Sequence, residues 1–475
     1  MEIMDNLKDF TTQFLIIKNL ESLVAASVSV FDRNNNFIAN GVMDMGNKRR
    51  CLELPIRLNK ECYDNITVKT ESGYTLKADL EIDGYHMSVK EDEVIAKTFC
   101  SFAYLKNADF SPEYISKFSC FIPVEFSQLH TFRFQLETIH YFWAETIYNY
   151  QCVRIYTGEF QFDILQVKNG EKGYYVIDCL NEISFQTFGD YCFSIQQAIG
   201  FIMGYMPGGE IFYFSDKGTF YYTDRIRPAM QSMYYPIYTN PYQFKQLLGT
   251  ESVYFRTKLN VMSSKDFSKL ISWIYKDKRF SSVLMMMIES ESVCSLLLGP
   301  SIFAIVLESL TKIMTFPFME EKRPIQNREL FKKISVEIEK IIDTYSSEIE
   351  SEDDILKLKR RIPDLNKVIR QNHLTNNEKL IQPFDLLGIK LTADDIHMIE
   401  HRNDLLHGNT HMTDDENMED VEINRYMMYA SGKFYTLISS LILKYIGYDG
   451  YIINHAKVCE QQSGIETEEK LYKLI

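Results

Sequence analysis

The chain has 475 residues, of which 45% are hydrophobic and 24% charged, and its formal net charge is −14. This length exceeds what one hydrophobic core supports, so we expect two domains or three. The acidic balance argues against a general nucleic-acid coat protein, although an RNA-cleaving enzyme can work with a local positive surface. Nine cysteines without a Cys-x-x-Cys pair indicate reduced thiols and argue against a cysteine-based zinc site.

Neither the N-terminus nor the most apolar stretch indicates a membrane. Residues 1–10 lack the basic region followed by an apolar core that marks a secretion signal. Residues 283–310 are apolar but are interrupted by three glutamates, a glycine and a proline, so no transmembrane helix is expected there. We therefore expect a cytoplasmic protein that does not engage a membrane.

Residues 1–258 have the pattern of a β-rich domain. Residues 23–31 and 37–43 flank the polar turn 32–36 and predict a hairpin. Residues 74–82 alternate polar and apolar side chains before Asp83-Gly84, where we expect a turn. One amphipathic helix, from about residue 190 to 203, is predicted among the strands.

This N-terminal domain is also dense in aromatic residues, as in residues 140–143 (His-Tyr-Phe-Trp) and 148–150 (Tyr-Asn-Tyr). Exposed aromatics make good anchors, so these runs could form a recognition surface. The alternative, which we favour, is ordinary core and sheet packing. Pro207-Gly208-Gly209 is not a phosphate-binding loop, because no Gly-Lys-Ser or Gly-Lys-Thr ending follows it.

From residue 259 to 475 the apolar spacing becomes helical and predicts an all-α domain. Helices are expected over residues 264–275, 280–291, 301–315, 327–346, 351–362, 393–407 and 421–445. Glu308 stands alone on an otherwise apolar helix, and a lone acid there needs a partner. We expect Glu308 to pair with Arg402 or to orient it; the alternative is that it faces solvent.

Residues 402–408 place Arg402 five positions before His407, with Gly408 next. Thr392 and Asp395 have the spacing of a capping box, so a helix over 393–407 is predicted, ended by Gly408 in a left-handed turn. On a continuous helix, side chains five residues apart point about 140° from each other. Arg402 and His407 would therefore converge only if the helix ends at His407, or if a second copy completes the site.

This pair suits phosphodiester chemistry on RNA. An arginine fork stabilises the extra charge on five-coordinate phosphorus, and a histidine titrates near neutral pH and can move a proton. His407 would lie at the negative end of its helix, which favours the imidazolium. No metal or other cofactor is needed if the ribose 2′-hydroxyl is the nucleophile. The alternative is that Arg402 pairs with a carboxylate and both residues are structural.

Two other clusters in this domain carry hypotheses. The basic run Lys357, Lys359, Arg360 and Arg361, continued by Lys367 and Arg370, could bind RNA phosphates or could be a solvated helix face. His397 and His401 have a spacing that can chelate zinc. The zincin order His-Glu-x-x-His is absent and no further ligand is evident, so we assign no metal.

Residues 401–408, reading HRNDLLHG, resemble the motif of HEPN-domain ribonucleases, in particular the ApeA-like proteins of bacterial anti-phage defence. The resemblance covers about the last two hundred residues. It implies a helical bundle that forms a homodimer, with Arg402 and His407 as catalytic residues and Asn403 as a supporting residue. It also implies RNA cleavage that leaves a 2′,3′-cyclic phosphate and a 5′-hydroxyl.

The same resemblance implies a role in abortive infection, as a toxin that degrades host or phage RNA, with tRNA as one candidate substrate. The N-terminal domain would then be a sensor or regulatory domain that responds to a phage protein. Two alternatives remain open. The helical domain could be a catalytically silent dimerisation scaffold beside a ligand- or protein-binding N-terminal domain, or the chain could be a nucleotide or partner sensor in a signalling complex.

Overall fold

The computed structural model describes residues 7–22, 26–44, 51–57, 64–71, 73, 75–90, 93–107, 111–143, 146–223, 227–237, 261–293, 296, 298–314, 321–322, 325, 327–349, 351–366, 369–370, 376–406 and 419–475. The N-terminal part is rich in strands and the C-terminal part is rich in helices, as the sequence predicts. The boundary expected between residues 258 and 259 lies outside the described residues. The chain divides into two compact units, one of residues 1–306 and 404–475 and the other of residues 307–403.

The first elements of the described chain are strand β1 (Leu7–Asp9) and helix α1 (Thr11–Ser22). Six strands then close into a ring, because the two strands at the ends of their spatial order also pair with each other. Its members are β2 (Ala26–Phe31), β3 (Phe37–Asp44), β4 (Cys51–Leu54), β5 (Ile66–Thr70), β6 (Thr75–Lys90) and β7 (Glu93–Lys106), in the spatial order β7-β4-β3-β2-β5-β6.

Because apolar and polar residues alternate along these strands, each strand has one buried face and one exposed face. In β5, Ile66 and Val68 are buried while Lys69 is exposed, and in β6 Leu76 and Ala78 are buried while Lys77 is exposed. This period of two is that of a strand with one face in a core.

The β2–β3 hairpin is confirmed, and the Asp32 carboxylate stabilises its turn by accepting backbone N–H bonds from Asn34 at 2.9 Å and Asn36 at 2.7 Å. The turn predicted at Asp83-Gly84 is wrong. Strand β6 continues through both residues and only shifts register against β7 between Ile82 and Gly84.

Strand β7 connects the ring to an open, mostly antiparallel sheet in the order β1-β10-β11-β12-β13-β9-β16-β17-β7. The remaining N-terminal strands are β8 (Ile115–Ser116), β9 (Phe118–Glu125), β10 (Ile139–Trp143), β11 (Thr146–Tyr156), β12 (Gln161–Asn169), β13 (Lys172–Cys179), β14 (Ile183–Ser184), β15 (Tyr205–Met206), β16 (Ile211–Ser215), β17 (Phe220–Thr223) and β18 (Met230–Gln231). Helix α2 (Phe185–Met203) packs on one face of this sheet through Phe188, whose ring lies 5.3 Å from that of Phe118.

A buried charge network joins Lys8 of β1 to strands β12 and β13. Lys8 Nζ is 2.7 Å from Asp163 and also bonds Asp178, and these two aspartates are opposite each other in β12 and β13. Arg154 bonds Asp163 at 2.7 and 3.0 Å, and the Ser119 hydroxyl donates to Asp178 at 2.6 Å. Burial alone would lower the pKa of Lys8, but the two carboxylates outweigh it and raise that pKa above its usual value.

Several helices of the C-terminal part match the predicted positions within a few residues. They are α3 (Ser264–Lys276), α4 (Lys278–Val293), α5 (Leu298–Ile313), α6 (Arg328–Thr344), α7 (Glu352–Arg361) and α11 (Asp420–Tyr445). Helix α9 (Ala393–Glu400) is shorter than predicted, and further described helices that were not predicted are α8 (Asn376–Leu386), α10 (Arg402–Leu406), α12 (His455–Val458) and α13 (Glu460–Ser463). Helix α3 starts at the cap Ser263, whose side chain accepts the Asp266 N–H, and buries Phe267, Leu270 and Ile271.

The C-terminal part is not purely helical, which corrects the expectation of an all-α domain. Strands β19 (Glu321–Lys322) and β20 (Ile369–Arg370) form one antiparallel pair. Strands β21 (Tyr451–Ile453) and β22 (Tyr472–Leu474) form another.

Helix α11 is almost wholly buried over its second half, and Gly432 allows its backbone to approach His455. No helix of the described residues has both the length and the apolar content that crossing a membrane requires.

Candidate functional site

Arg402 begins a short helix instead of lying within a long one. The predicted capping box is present, since Thr392 Oγ1 accepts the Asp395 N–H at 3.1 Å and Asp395 Oδ2 accepts the Thr392 N–H at 3.0 Å. Helix α9 ends at Glu400, and His401, with φ −86° and ψ 2°, separates it from α10. The uninterrupted helix predicted over 393–407 is therefore wrong, and the 140° separation derived from it does not apply.

The Arg402 side chain is 3% exposed and is held by three acceptors, all from residues 307–403. Nε donates to Glu308 Oε1 at 3.0 Å. Nη1 donates to Asn377 Oδ1 at 2.6 Å and to the Ile399 carbonyl oxygen at 3.0 Å. Three acceptors from three segments fix both the position and the plane of the guanidinium.

The contact predicted between Glu308 and Arg402 is present. Glu308 lies on α5, its side chain is 26% exposed, and its second oxygen is 3.5 Å from Lys312 Nζ on the same helix. A buried guanidinium needs a compensating charge, and Glu308 supplies it. The same carboxylate would compete with any phosphate for the Arg402 guanidinium.

Asn377 is the member of this group that the sequence did not indicate. It lies near the start of α8, 25 residues before Arg402, and its amide oxygen accepts the shortest of the three bonds. No periodicity or motif connects the two residues, because the contact depends on how α8 packs.

The rest of the motif is only partly within the described residues. Asn403 is exposed, and Leu405 is buried with its carbonyl oxygen accepting a bond from Ser301 Oγ at 3.1 Å. His407 and Gly408 lie outside the described residues. The catalytic pairing of Arg402 with His407 therefore stays a prediction.

The basic run lies on α7 and is partly neutralised. Lys357 is 2.9 Å from Asp353 and 3.1 Å from Asp354, and these carboxylates raise the pKa of Lys357. Lys359 bonds Asp343 on α6. Arg360 and Arg361 are exposed, and within the described residues neither has an ion-pair partner.

The last two residues of the run do not belong to α7. Lys367 lies outside the described residues, and Arg370 lies in β20. Of the residues on α7, Arg360 and Arg361 are the cations without an ion-pair partner in the described part of the chain, and so they are available for an anion. RNA binding by the run, Lys357 and Lys359 included, stays a prediction.

His397 and His401 are neighbours, with ring centroids 4.2 Å apart. Among the described residues, no group of three or more histidine, cysteine or acidic side chains is arranged to hold a metal ion.

The aromatic runs of the N-terminal domain divide into two sets. Tyr141 stacks on Tyr148 at 4.9 Å, and Trp143 stacks on Phe14 of α1 at 3.5 Å, so these rings are core and sheet packing. Tyr150 differs, because its ring lines a surface cleft.

Comparison of this chain with protein-family models, with curated proteins and with solved structures found no match.

Proposed function

We propose that this chain is a metal-independent endoribonuclease of the HEPN type. The ribose 2′-hydroxyl attacks the adjacent phosphorus, the bond to the 5′-oxygen breaks, and the products carry a 2′,3′-cyclic phosphate and a 5′-hydroxyl. Arg402 stabilises the charge on the phosphoryl oxygens, and His407 accepts or delivers the proton. The observation that carries the proposal is a guanidinium held in a fixed orientation at the first position of the Arg402–His407 motif.

Preorganisation is the contribution of Glu308 and Asn377. A guanidinium that is already oriented loses less conformational entropy when it meets a phosphate. The bonds from Nε and Nη1 leave Nη2 as the guanidinium nitrogen to which no bond is assigned among the described residues. Since Glu308 and Asn377 are both partly exposed, a phosphate would reach Arg402 from the side of these two residues.

The biological setting is part of the same proposal and rests on the resemblance of residues 401–408. RNA is the substrate, the active form is a homodimer through the helical domain, and the N-terminal domain responds to a phage protein during abortive infection. Asn403 supports the site, and Lys357, Lys359, Arg360 and Arg361 hold RNA phosphates near the scissile one.

His407→Ala is the decisive variant. Arg402→Ala would also remove the partner of Glu308 and Asn377, so a loss of activity in it could reflect misfolding. Wild type and variants are compared for toxicity on expression and for cleavage of total RNA in the presence of a chelator, with the ends of the products analysed chemically. We expect His407→Ala to abolish cleavage while its thermal unfolding stays that of the wild type.

Matched controls come from the same chain. His401→Ala removes a neighbouring imidazole, and Arg425→Ala removes an exposed arginine of α11; both should cleave RNA like the wild type. Cleavage that persists in His407→Ala, or that disappears equally in His401→Ala, would contradict the assigned roles.

A second function is favoured by one observation, the burial of Arg402. A guanidinium that is 3% exposed and has three acceptors is also what a structural ion pair requires. In that case the helical domain is a catalytically silent dimerisation scaffold, and the N-terminal domain carries the binding function. Wild-type protein that dimerises and shows no cleavage of any RNA would favour this alternative.

A further inference from the structure

A cleft of about 370 Å³ lies where the segment after β9, strand β11 and the start of α3 meet, all within residues 1–306. Its lining includes Arg133, Glu137, Thr138 and Tyr150, with Leu136 as an apolar wall. The volume falls at the lower end of the range of small-molecule sites.

Arg133 is the feature that singles out this cleft. Its Cζ lies 4.0 Å from the centroid of the Tyr150 ring, and the side chain is exposed. Within the described residues no carboxylate forms an ion pair with Arg133, although Glu137 is only four positions away and lines the same cleft. A guanidinium positioned on an aromatic ring keeps its outer face and its in-plane N–H groups available.

The backbone at Tyr150 is strained. Its φ of 64° lies in the left-handed region, which a bulky side chain rarely adopts. The neighbouring strand β10 has a register shift between Ile139 and Tyr141, and the ring of the intervening His140 lies 6.2 Å from the Tyr150 ring. The His140 Nδ1 atom is buried without a hydrogen-bond partner. Strain, a strand irregularity and an unsatisfied polar atom concentrate at functional sites.

Polar groups at the rim limit the ligand that this cleft can take. Glu137 Oε2 accepts the backbone N–H of Ser264 at 2.8 Å, which holds the carboxylate in place and leaves Oε1 to accept from a ligand. Lys265, the next residue on α3, is exposed and lines a neighbouring cleft together with Gly158 and Lys269. Lys269 is already bound to the Ile446 carbonyl oxygen at 2.8 Å, so Lys265 is the more available cation.

We infer that this cleft binds a nucleotide, with the base stacked on the Arg133 guanidinium and a phosphate near Lys265. Arginine planes stack on nucleobases, and a carboxylate accepts hydrogen bonds from the amino groups of bases. Glu137 therefore favours bases that carry an exocyclic amino group over uracil. The nucleotide is either free or part of a single-stranded RNA, and both sources present the same base and phosphate. This inference does not depend on the proposed nuclease.

The test measures binding to the full chain by isothermal titration calorimetry. The probes are CMP, GMP, UMP, inorganic phosphate and a 2′-O-methyl RNA tetranucleotide, which lacks the nucleophile for cleavage. We expect saturable binding of CMP and GMP that is tighter than binding of UMP or phosphate. A tetranucleotide that binds more tightly than CMP identifies RNA as the source, and equal affinity identifies the free nucleotide.

Variants separate base stacking from simple charge attraction. Arg133→Ala should weaken CMP binding about tenfold, the size of effect that loss of one base-stacking partner produces. Arg133→Lys should weaken it nearly as much, because an ammonium group has no planar face. Tyr150→Asn, which tolerates the left-handed backbone, should also weaken binding without unfolding the chain.

Arg57→Ala is the matched control, since Arg57 lies 5.5 Å from the Tyr85 ring and does not line this cleft. It should bind CMP like the wild type. Three results would overturn the inference: no saturable binding of any nucleotide or of the tetranucleotide, wild-type affinity in both Arg133 variants, or phosphate binding as tightly as CMP. The last would describe an anion site without base recognition.

Discussion

His455, the first residue of α12, should make the stability of its unit depend on pH below 6.5. The residue is buried, and Nε2 lies 2.8 Å from the Tyr235 carbonyl oxygen, to which it donates. The rings of Tyr435 and Tyr234 lie 4.9 and 5.1 Å away. Burial disfavours the imidazolium and lowers the pKa of His455 from 6.5 to about 4, although the Tyr235 carbonyl partly opposes this.

The sign follows from proton binding. Between pH 6.5 and about 4 the unfolded chain takes up a proton on His455 that the folded chain does not bind, so the free energy of unfolding falls as the pH falls. Each pH unit in this window costs about 1.4 kcal/mol, and the full window is worth about 3 kcal/mol. Above pH 6.5 the residue contributes no pH dependence.

Urea unfolding followed by tryptophan fluorescence measures this effect, because the chain has two tryptophans and both Trp143 and Trp273 lie in the same compact unit as His455. Wild type and His455→Gln are compared at pH 7.5 and pH 5. The stability advantage of the wild type should shrink by about 2 kcal/mol between these values. The exposed His397→Gln is the matched control. An advantage that stays constant from pH 7.5 to 5 would refute the reasoning.

Glu308→Gln should lower the free energy of unfolding by about 1–2 kcal/mol, because an amide replaces the charge that compensates the buried Arg402. Urea unfolding followed by circular dichroism measures this, and an unchanged transition would contradict it. Gly432→Ala should cost about 1–3 kcal/mol, since the added Cβ would lie 2.8 Å from the carbonyl oxygen of His455; a melting temperature equal to that of the wild type would count against this close approach. Lys8→Met should lower the free energy of unfolding by about 3–5 kcal/mol, because the buried Asp178 loses its only cation among the described residues, whereas Asp163 keeps Arg154. Tryptophan fluorescence would detect that loss, and wild-type stability would show that the network contributes nothing.

The sequence predicted the structure best where an element is stabilised by residues that are close together along the chain. The β2–β3 hairpin was predictable because Asp32 stabilises its own turn, and the start of α9 because Thr392 and Asp395 cap each other. Asp83-Gly84 has the composition of a turn, yet β6 continues through it, since pairing with β7 along the whole strand outweighs the local preference.

Parts of the candidate site depend on contacts that no local pattern encodes. Glu308 could be matched with Arg402 because a lone acid on an apolar helix needs a partner, whereas Asn377 is a polar residue near the start of a helix and gave no such signal. Tyr150 was grouped with the packing aromatics, because a tyrosine in a strand is ordinarily a packing residue. Its backbone geometry, with φ at 64°, and the cleft that its ring lines distinguish it.

The closure of the six-strand ring has a consequence for self-association. A sheet normally ends in two strands whose unpaired backbone groups can recruit another chain and start aggregation. Among the described residues β6 pairs with both β5 and β7, although β5 covers only residues 75–78 of it, and the other end of the fourteen-stranded sheet is β1. That strand has three residues, and its middle residue, Lys8, is tied into the buried charge network. Such a short terminus offers very few backbone groups to a second molecule at this end of the sheet, so edge-to-edge pairing would have to use residues 79–90 of β6, which pair on the β7 side alone.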